Sequence, residues 1–182
     1  MMFDIVDEND IIIGKASRED IHKNGLLHRE VQVWLFNKEG ELFFQKRGKH
    51  KDTYPGVLDV SVAGHVESGE AYEDAALRET KEETGLDIDK KKLVLLKIIR
   101  RNADDVSTGK KNNVIAYKYG YLFEGKVEDL KIKQDDGEGF EPVTIDSIAT
   151  VPEIEKSRFI PFLFSKDSLD TFGKIKEIIG KK

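Results

Sequence analysis

Three glutamates of this chain are spaced so that they can share one metal ion. Glu79, Glu82 and Glu83 occupy positions i, i+3 and i+4 of segment 71–84, whose pattern predicts a helix. On such a helix the three carboxylates fall within an arc of about 100°. Because crowded anions on a partly buried face repel one another and lose hydration, we predict a Mg²⁺ or Mn²⁺ site here. Other residues project onto the same arc and indicate that it faces the sheet: Tyr72, Ala75 and Ala76.

Glycines and one ion pair frame the predicted helix. Gly64 and Gly69 allow a tight loop before it, in which the backbone can come close to a metal or a ligand. Gly85 follows the helix, and glycine is the residue type favoured just beyond a helix C-terminus. Arg78 can reach back to the loop carboxylate of Glu70, so we expect this pair to fix the geometry of the loop.

The spacing of these residues resembles the Nudix box. From Gly64 to Leu86 the sequence reads G-x5-E-x7-R-E-x-x-E-E-x-G-φ, where φ is an apolar residue. The one departure is Thr80, where the family usually has an aliphatic residue, and we expect only a small packing cost from it. The resemblance implies an α+β fold, a Nudix-type α/β/α sandwich with a central mixed β-sheet.

The same resemblance implies hydrolysis of the diphosphate linkage in a nucleoside diphosphate derivative or another organic diphosphate. Carried over by position, the metal ligands are Glu79, Glu82 and Glu83, and the backbone carbonyl of Gly64 completes the metal shell. One of the three glutamates, or an acid elsewhere, activates the water, while the metal acts as a Lewis acid and lowers the pKa of that water. The structural positions of the box are Glu70, Arg78 and Gly85.

A further acid is expected downstream, because many Nudix relatives carry one just before the strand that contains Val143. The acidic segment 134–141 offers Glu138 as the first choice for this base, with Asp136 and Glu141 as alternatives. An acidic surface turn is the competing interpretation of the segment.

Residues 3–86 also resemble the branch that contains the isopentenyl-diphosphate isomerases. In that branch the positions of Arg47 and Lys51 hold the substrate diphosphate, and a guanidinium fork and a mobile ammonium suit this task. The alternative is an exposed loop with solubilising charges. The resemblance is carried by His28-Arg29, Trp34-Leu35-Phe36-Asn37, Gly40-Glu41, Gln45-Lys46-Arg47, Lys51-Asp52, Pro55-Gly56 and Ser61-Val62-Ala63-Gly64-His65.

Histidines form part of this second resemblance. His28 and His65 match metal ligands of the isomerases, and His22 is a third candidate. The residue types leave three roles open for His28 and His65, which are a metal ligand, a hydrogen-bond donor to a substrate phosphate, and a cap for polar groups in a half-buried cleft.

The sequence lacks two groups that the isomerase reaction requires. Its thiol position matches Ala63, the chain has no cysteine, and its downstream glutamate pair has no match around 113–117. The hydrolase glutamates are all present, so we favour a diphosphohydrolase over an isomerase. A non-catalytic domain that binds a nucleotide as a sensor is the third hypothesis.

Hydrophobic patterning predicts one domain over residues 1–182. Its parts are an N-terminal hairpin segment (1–27), a core (28–150) and a C-terminal helical segment (151–182). A second hairpin is expected at 31–44, and further strands at 58–63, 93–99 and 114–123. Besides 71–84, helices are expected at 168–179 and near 145–150.

Composition narrows the function further. The 182 residues carry a net charge of −5, without the broad basic face that binds nucleic acid, so we expect a small-molecule diphosphate partner and a divalent metal that offsets its charge. No apolar run is long enough for a membrane span, and the N-terminus lacks the features of a secretory signal, so we expect a cytoplasmic protein. Edge pairing of the segment 1–15 makes a homodimer possible.

Overall fold

The computed structural model describes residues 1–51, 53–104, 108–132 and 137–180. The strands in this part of the chain are β1 (Met2–Val6), β2 (Ile12–Ser17), β3 (His28–Phe36), β4 (Glu41–Arg47), β5 (Leu58–Asp59), β6 (Val62–His65), β7 (Val94–Asp104), β8 (Lys111–Leu122) and β9 (Gly137–Thr144). The α-helices are α1 (Arg18–Asn24), α2 (Tyr72–Thr84), α3 (Ile145–Ala149) and α4 (Lys166–Gly180). Short 3-10 turns lie at Lys90–Lys92, Val127–Asp129, Glu153–Arg158 and Pro161–Phe164.

Strand β3 is the centre of one mixed sheet. It runs parallel to β8, with pairs from His28–Val114 to Phe36–Leu122, and antiparallel to β1, β4 and β6. Strand β7 extends the sheet beyond β8, while β5 and β9 both pair with β4. The nearly continuous apolar run of β3 fits a strand that is covered on both faces.

Alternate side chains of β3 enter two separate cores. Val31, Val33 and Leu35 pack with residues of α2 on one face of the sheet. Trp34 and Phe36 pack on the other face, where α3 and α4 contribute Ile145, Ile148, Phe172 and Ile175. The expected α/β/α sandwich around a central mixed sheet is therefore confirmed. Within the described residues, no helix is both long and apolar enough to cross a bilayer.

The segment 58–63, predicted as one strand, forms two short strands with different partners. Strand β5 pairs with β4, whereas β6 pairs with β3. At the break, Ser61 is buried and its hydroxyl accepts a hydrogen bond from the backbone N–H of Leu35 at 3.0 Å. The alternating pattern indicates which face is buried but not which strand lies beside it, so the prediction was wrong about the extent of the strand.

The N-terminal segment contains a helix that the hairpin prediction missed. Ser17 caps α1, because its hydroxyl accepts a hydrogen bond from the N–H of Asp20, and Gly25 ends the helix in a left-handed conformation. Seven residues give too little periodicity for a helix prediction. This helix brings His22 next to the sheet. The helices expected at 145–150 and 168–179 are present as α3 and α4.

Candidate active site

Helix α2 places its apolar stripe on the sheet and its acidic residues at the edge of that contact. The helix ends at Gly85, whose positive φ of 73° is readily adopted by glycine, and the Gly85 N–H donates to the carbonyl of Lys81. Thr80 is fully buried, and its hydroxyl donates to the carbonyl of Ala76 at 2.7 Å, so the polar group is satisfied within the helix. The buried residues of this helix are Tyr72, Ala75, Ala76, Thr80 and Thr84.

The carboxylate of Glu79 lies directly over the backbone of Gly64. A Cβ atom at position 64 would lie 2.0 Å from Cδ and 2.3 Å from Oε1 of Glu79, so the carboxylate fills the space that a side chain would take. The Glu79 side chain is only 14% exposed. Burial raises the pKa of its carboxyl group, although Arg78 acts in the opposite direction. Glycine at position 64 is therefore what allows this carboxylate to reach β6.

Arg78 connects the loop before α2 to the acidic stripe. Its Nε and Nη2 donate to the two carboxylate oxygens of Glu70, both at 2.9 Å, as expected from the sequence. Its Nη2 also donates to the carbonyl oxygen of His65 at 3.0 Å. Its Nη1 donates to Glu79 at 2.8 Å and lies 3.5 Å from Glu82. One guanidinium thus fixes the loop, the strand β6 and the acidic stripe relative to one another.

The other two acidic residues are more accessible. The side chain of Glu82 is 46% exposed. Glu83 is half-buried, and its Oε2 accepts a hydrogen bond from Nε2 of Gln45 at 3.2 Å. Gln45 belongs to β4, so the acidic stripe lies between α2 and the strands β4 and β6.

The donor set suits a hard divalent cation. Glu79 offers its carboxylate oxygens beside the backbone of Gly64, Glu82 and Glu83 offer theirs from the next turn of α2, and Mg²⁺ and Mn²⁺ prefer oxygen ligands. Four carboxylates lie within 4 Å of the cationic Arg78, those of Glu67, Glu70, Glu79 and Glu82, and the carboxylate of Glu79 is largely buried. The excess negative charge is the electrostatic condition that a bound cation relieves.

Comparison with known proteins settles the family. A model of the NUDIX domain matches residues 26–163, which is more than half of the chain. The chain belongs to the Nudix family. This confirms the resemblance of the 64–86 segment to the Nudix box.

Individual relatives agree with this membership. An uncharacterized Nudix hydrolase of Clostridium acetobutylicum is 36% identical over 150 residues, which cover 80% of this chain and 71% of that protein. An isopentenyl-diphosphate Delta-isomerase of Photorhabdus laumondii is 36% identical over 124 residues, covering 68% of this chain and 66% of that protein. Other curated relatives match over about half of their length. A crystal structure from Deinococcus radiodurans is 28% identical with a TM-score of 0.62, covering 83% of this chain and 88% of that one.

Three histidines converge beside this Nudix box. The ligand atoms of His22, His28 and His65 all lie within 4.8 Å of one another. Burial lowers the pKa of each ring, so all three are neutral at neutral pH, which is the form that binds metals. Nδ1 of His28 lies 2.8 Å from the carbonyl oxygen of Leu26, and Nδ1 of His22 lies 3.1 Å from that of Lys111. These carbonyls hold the Nδ1 protons and leave Nε2 as the free ligand atom.

Arg47, the last residue of β4, holds the loop between β4 and β5. Its guanidinium donates to the carbonyls of Thr53 and Tyr54 and to the carboxylate of Asp59, at 2.9 to 3.2 Å. Burial raises the pKa of Asp59 despite this partner. Lys51 lies in the same loop, which places both predicted diphosphate contacts in one segment. Their role in substrate binding stays a prediction.

The downstream acids are engaged in ion pairs. Glu138 lies 3.0 Å from Lys46 and 3.6 Å from Lys49, and its hydrogen bond with Lys46 lowers the pKa of its carboxyl. A lower pKa makes Glu138 a weaker base than an isolated glutamate. The alternative Glu141 pairs with Arg158 at 2.7 Å. The other alternative, Asp136, lies outside the described residues.

A residue outside the matched domain, Asp4, anchors the loop of the Nudix box. Its carboxylate accepts hydrogen bonds from the hydroxyl of Ser68 at 2.7 Å and from the N–H of Gly69 at 2.9 Å. Burial raises the pKa of Asp4, but these hydrogen bonds outweigh burial and the pKa is lowered. The same loop carries Glu70, the partner of Arg78. Sequence reasoning missed Asp4 because nothing local to β1 indicates a partner more than sixty residues away.

Replacing Gly64 by alanine tests the close approach of Glu79. The new Cβ would occupy the position of the Glu79 carboxylate, which must rotate away, so we expect Gly64→Ala to weaken Mg²⁺ binding by about tenfold or more while the fold persists. Isothermal titration calorimetry with Mg²⁺ measures this affinity. Gly14→Ala is the matched control, because nothing lies within 4 Å of its added Cβ. Unchanged affinity in Gly64→Ala would exclude this packing as a requirement for metal binding.

Replacing Asp4 by asparagine tests the anchoring of the loop. The amide keeps only one acceptor oxygen, so we expect Asp4→Asn to lose about 1–3 kcal/mol of unfolding free energy and to need a higher Mg²⁺ concentration for half-maximal activity. Asp7→Asn is the control, because Asp7 also accepts two backbone hydrogen bonds, from Asn9 and Ile11, in the exposed turn of the hairpin. Urea denaturation and Mg²⁺ titration separate the two effects. An equal Mg²⁺ requirement in both variants would leave Asp4 with a role in stability alone.

Proposed function

We propose that this Nudix protein is a Mg²⁺- or Mn²⁺-dependent hydrolase that cleaves the diphosphate linkage of a nucleoside diphosphate derivative or another organic diphosphate. The observation that carries the proposal is the seating of Glu79 over Gly64, with Arg78 fixing both the carboxylate and the strand. A family member that only binds nucleotides has no need to preserve every acidic and glycine position of the box.

Glu79, Glu82 and Glu83 would hold the metal, together with the backbone of Gly64. A bound Mg²⁺ supplies Lewis-acid polarisation of phosphoryl oxygens and lowers the pKa of a water. Glu79 is buried and held by Arg78, which suits a fixed ligand. Glu83 is half-buried, and its Oε2 accepts a hydrogen bond from the side-chain amide of Gln45 on β4. Its place in the Nudix box makes it our choice for the carboxylate that accepts a proton from the attacking water.

The isomerase alternative is disfavoured by the residues of β6. Ala63 takes the thiol position, and no cysteine exists anywhere in the sequence to replace it. The isomerase name of the Photorhabdus relative therefore does not extend to this chain. The sensor alternative differs from the hydrolase in one measurable property, which is turnover.

Glu83→Gln tests the hydrolase directly. The amide cannot accept a proton, so we expect kcat to fall by about two orders of magnitude or more while KM changes little. Release of monophosphate or phosphate from nucleoside diphosphate derivatives, dinucleotides and isoprenoid diphosphates in Mg²⁺ is the assay. Glu177→Gln on the exposed side of α4 is the control. Wild-type rates in Glu83→Gln would remove Glu83 from the mechanism, and absence of turnover in the wild-type protein with metal bound would favour the sensor.

We also propose that the three histidines bind a borderline transition metal such as Zn²⁺. The triad is neutral, and its ligand atoms lie close together, which favours this role over the donation of a proton to phosphate. Calorimetric titration of the metal-free protein with Zn²⁺ should give one tight site that His28→Ala weakens by about tenfold or more. His50→Ala, in the loop after β4, is the control, and equal affinity in the two variants would contradict the proposal.

A further inference from the structure

Buried polar side chains lie together on the sheet face opposite α2. Lys118 of β8 is opposite Gln32 of β3, and Gln32 is in turn opposite Ala63 of β6, so the three side chains project from the same face. Lys118 is 0% exposed and Gln32 is 1% exposed. We call Gln32, Trp34 and Lys118 the Lys118 cluster, since Trp34 lies one step further along the same face of β3.

Each member of the Lys118 cluster has a buried polar atom without a hydrogen-bond partner among the described residues. These atoms are Nζ of Lys118, Oε1 of Gln32 and Nε1 of Trp34. An unpaired buried ammonium is costly, because it loses hydration without a compensating hydrogen bond. Native proteins leave few such atoms, and a group of them on one surface is typical of a site that a ligand completes.

Neighbouring charges do not satisfy Lys118. Glu30 accepts hydrogen bonds from Arg101 at 2.8 and 3.0 Å and from Gln32 at 3.0 Å. Asp167 pairs with Lys97 at 2.6 Å, as does Asp170 at 2.8 Å. The Lys118 ammonium lies over the ring of Phe162, whose centre is 5.9 Å away. Burial lowers the pKa of Lys118 to about 8, so it is mostly charged at neutral pH.

The Lys118 cluster adjoins the proposed metal site across β6. Ala63 is exposed and lies on the face of the Lys118 cluster, whereas Gly64 meets Glu79 on the other face. Strands are spaced by about 4.8 Å and β3 lies between β6 and β8, so the Cα atoms of Ala63 and Lys118 lie about 10 Å apart. Among the described strands β6 pairs only with β3, so a diphosphate held at Gly64 can direct its organic group around the open edge of β6 to the face that carries Ala63 and Gln32. The Lys118 ammonium lies over the ring of Phe162, and Ala63 is exposed on the same sheet face, so we take the Ala63 side as the approach.

We propose that the Lys118 cluster recognises an oxyanion, a carboxylate or a phosphate, on the organic group of the diphosphate substrate. The proposal rests on the hydrolase function and names the substrate class. Lys118 and the indole N–H of Trp34 would donate to the anion, and Gln32 would accept from a neighbouring hydroxyl group. The ligand charge would replace the missing partner of the buried ammonium.

Matched ligand pairs test the proposal. UDP-glucuronic acid and UDP-glucose differ by one carboxylate, and NADP⁺ and NAD⁺ differ by one phosphate. Calorimetry with Ca²⁺ in place of Mg²⁺ should show that the wild-type protein binds the charged member of one pair at least about tenfold more tightly. Lys118→Met should reduce that ratio to about one and change the affinity for the uncharged member by less than about twofold. The pair that responds distinguishes a carboxylate from a phosphate.

The variant carries its own folding control. Lys118→Met removes a buried unpaired charge, so it should melt at a higher temperature than the wild-type protein at pH 7. The difference in melting temperature between the variant and the wild-type protein should shrink as the pH rises above the Lys118 pKa of about 8, because the folded wild-type protein then holds a neutral amine. Lys176→Met on α4, which removes an exposed ion pair with Asp146 of α3, is the surface control and should keep the wild-type ligand preference.

The binding and turnover measurements distinguish failure of the oxyanion site from failure of the proposed hydrolase activity. Equal wild-type affinities within both pairs, or a preference that survives in Lys118→Met, would overturn the oxyanion site even if Mg²⁺ supports turnover. A preference that disappears in Lys118→Met without turnover of any compound would keep the oxyanion site and overturn hydrolysis.

Discussion

The close approach of the Glu79 carboxylate to the backbone of Gly64 is the contact on which the site depends. It requires α2 to lie very near β6, and the small residues Ala75 and Ala76 on the buried side of the helix make that distance possible. It also requires a cation beside the carboxylate, because Glu79 is largely removed from water. Arg78 provides this charge from the adjacent position and binds the carbonyl of β6 at the same time. The contact between Glu79 and Gly64 therefore depends on the position of α2, the position of β6 and the charge of Arg78 together.

The features that the sequence predicted are those whose causes are local. The extent of α2, its end at Gly85 and the contact between Arg78 and Glu70 follow from helical spacing and from the backbone freedom of glycine. The mixed sheet was predictable as a class from the resemblance to the Nudix box. The glutamates required no tertiary information either, since three residues within one helical turn share a side of the helix wherever that helix lies.

The features that the sequence did not predict depend on distant partners. The division of 58–63 between β5 and β6 is a change of neighbouring strand, and alternation of apolar residues carries no information about neighbours. Asp4 acts through Ser68 and Gly69, far along the chain, and a lone aspartate in a strand has no local signature. Lys118 is a charged residue within the largely apolar sequence of β8. The sequence pattern does not indicate whether such a residue is exposed, and the structure shows that it is buried.

Strand β6 separates two kinds of chemistry. Successive residues of a strand point to opposite faces, so Gly64 meets the acidic stripe of α2 while Ala63 and His65 face the histidines and the Lys118 cluster. A substitution at position 63 changes the sheet face opposite the acidic stripe of α2, because the side chains at positions 63 and 64 point to opposite faces. This arrangement explains in physical terms how a chain can resemble the isomerase branch over residues 3–86 and keep an intact hydrolase box. A side-chain change on one face of β6 leaves in place the backbone contacts that hold Glu79 on the other, so the chemistry on the Ala63 face can vary while the acidic stripe keeps its position.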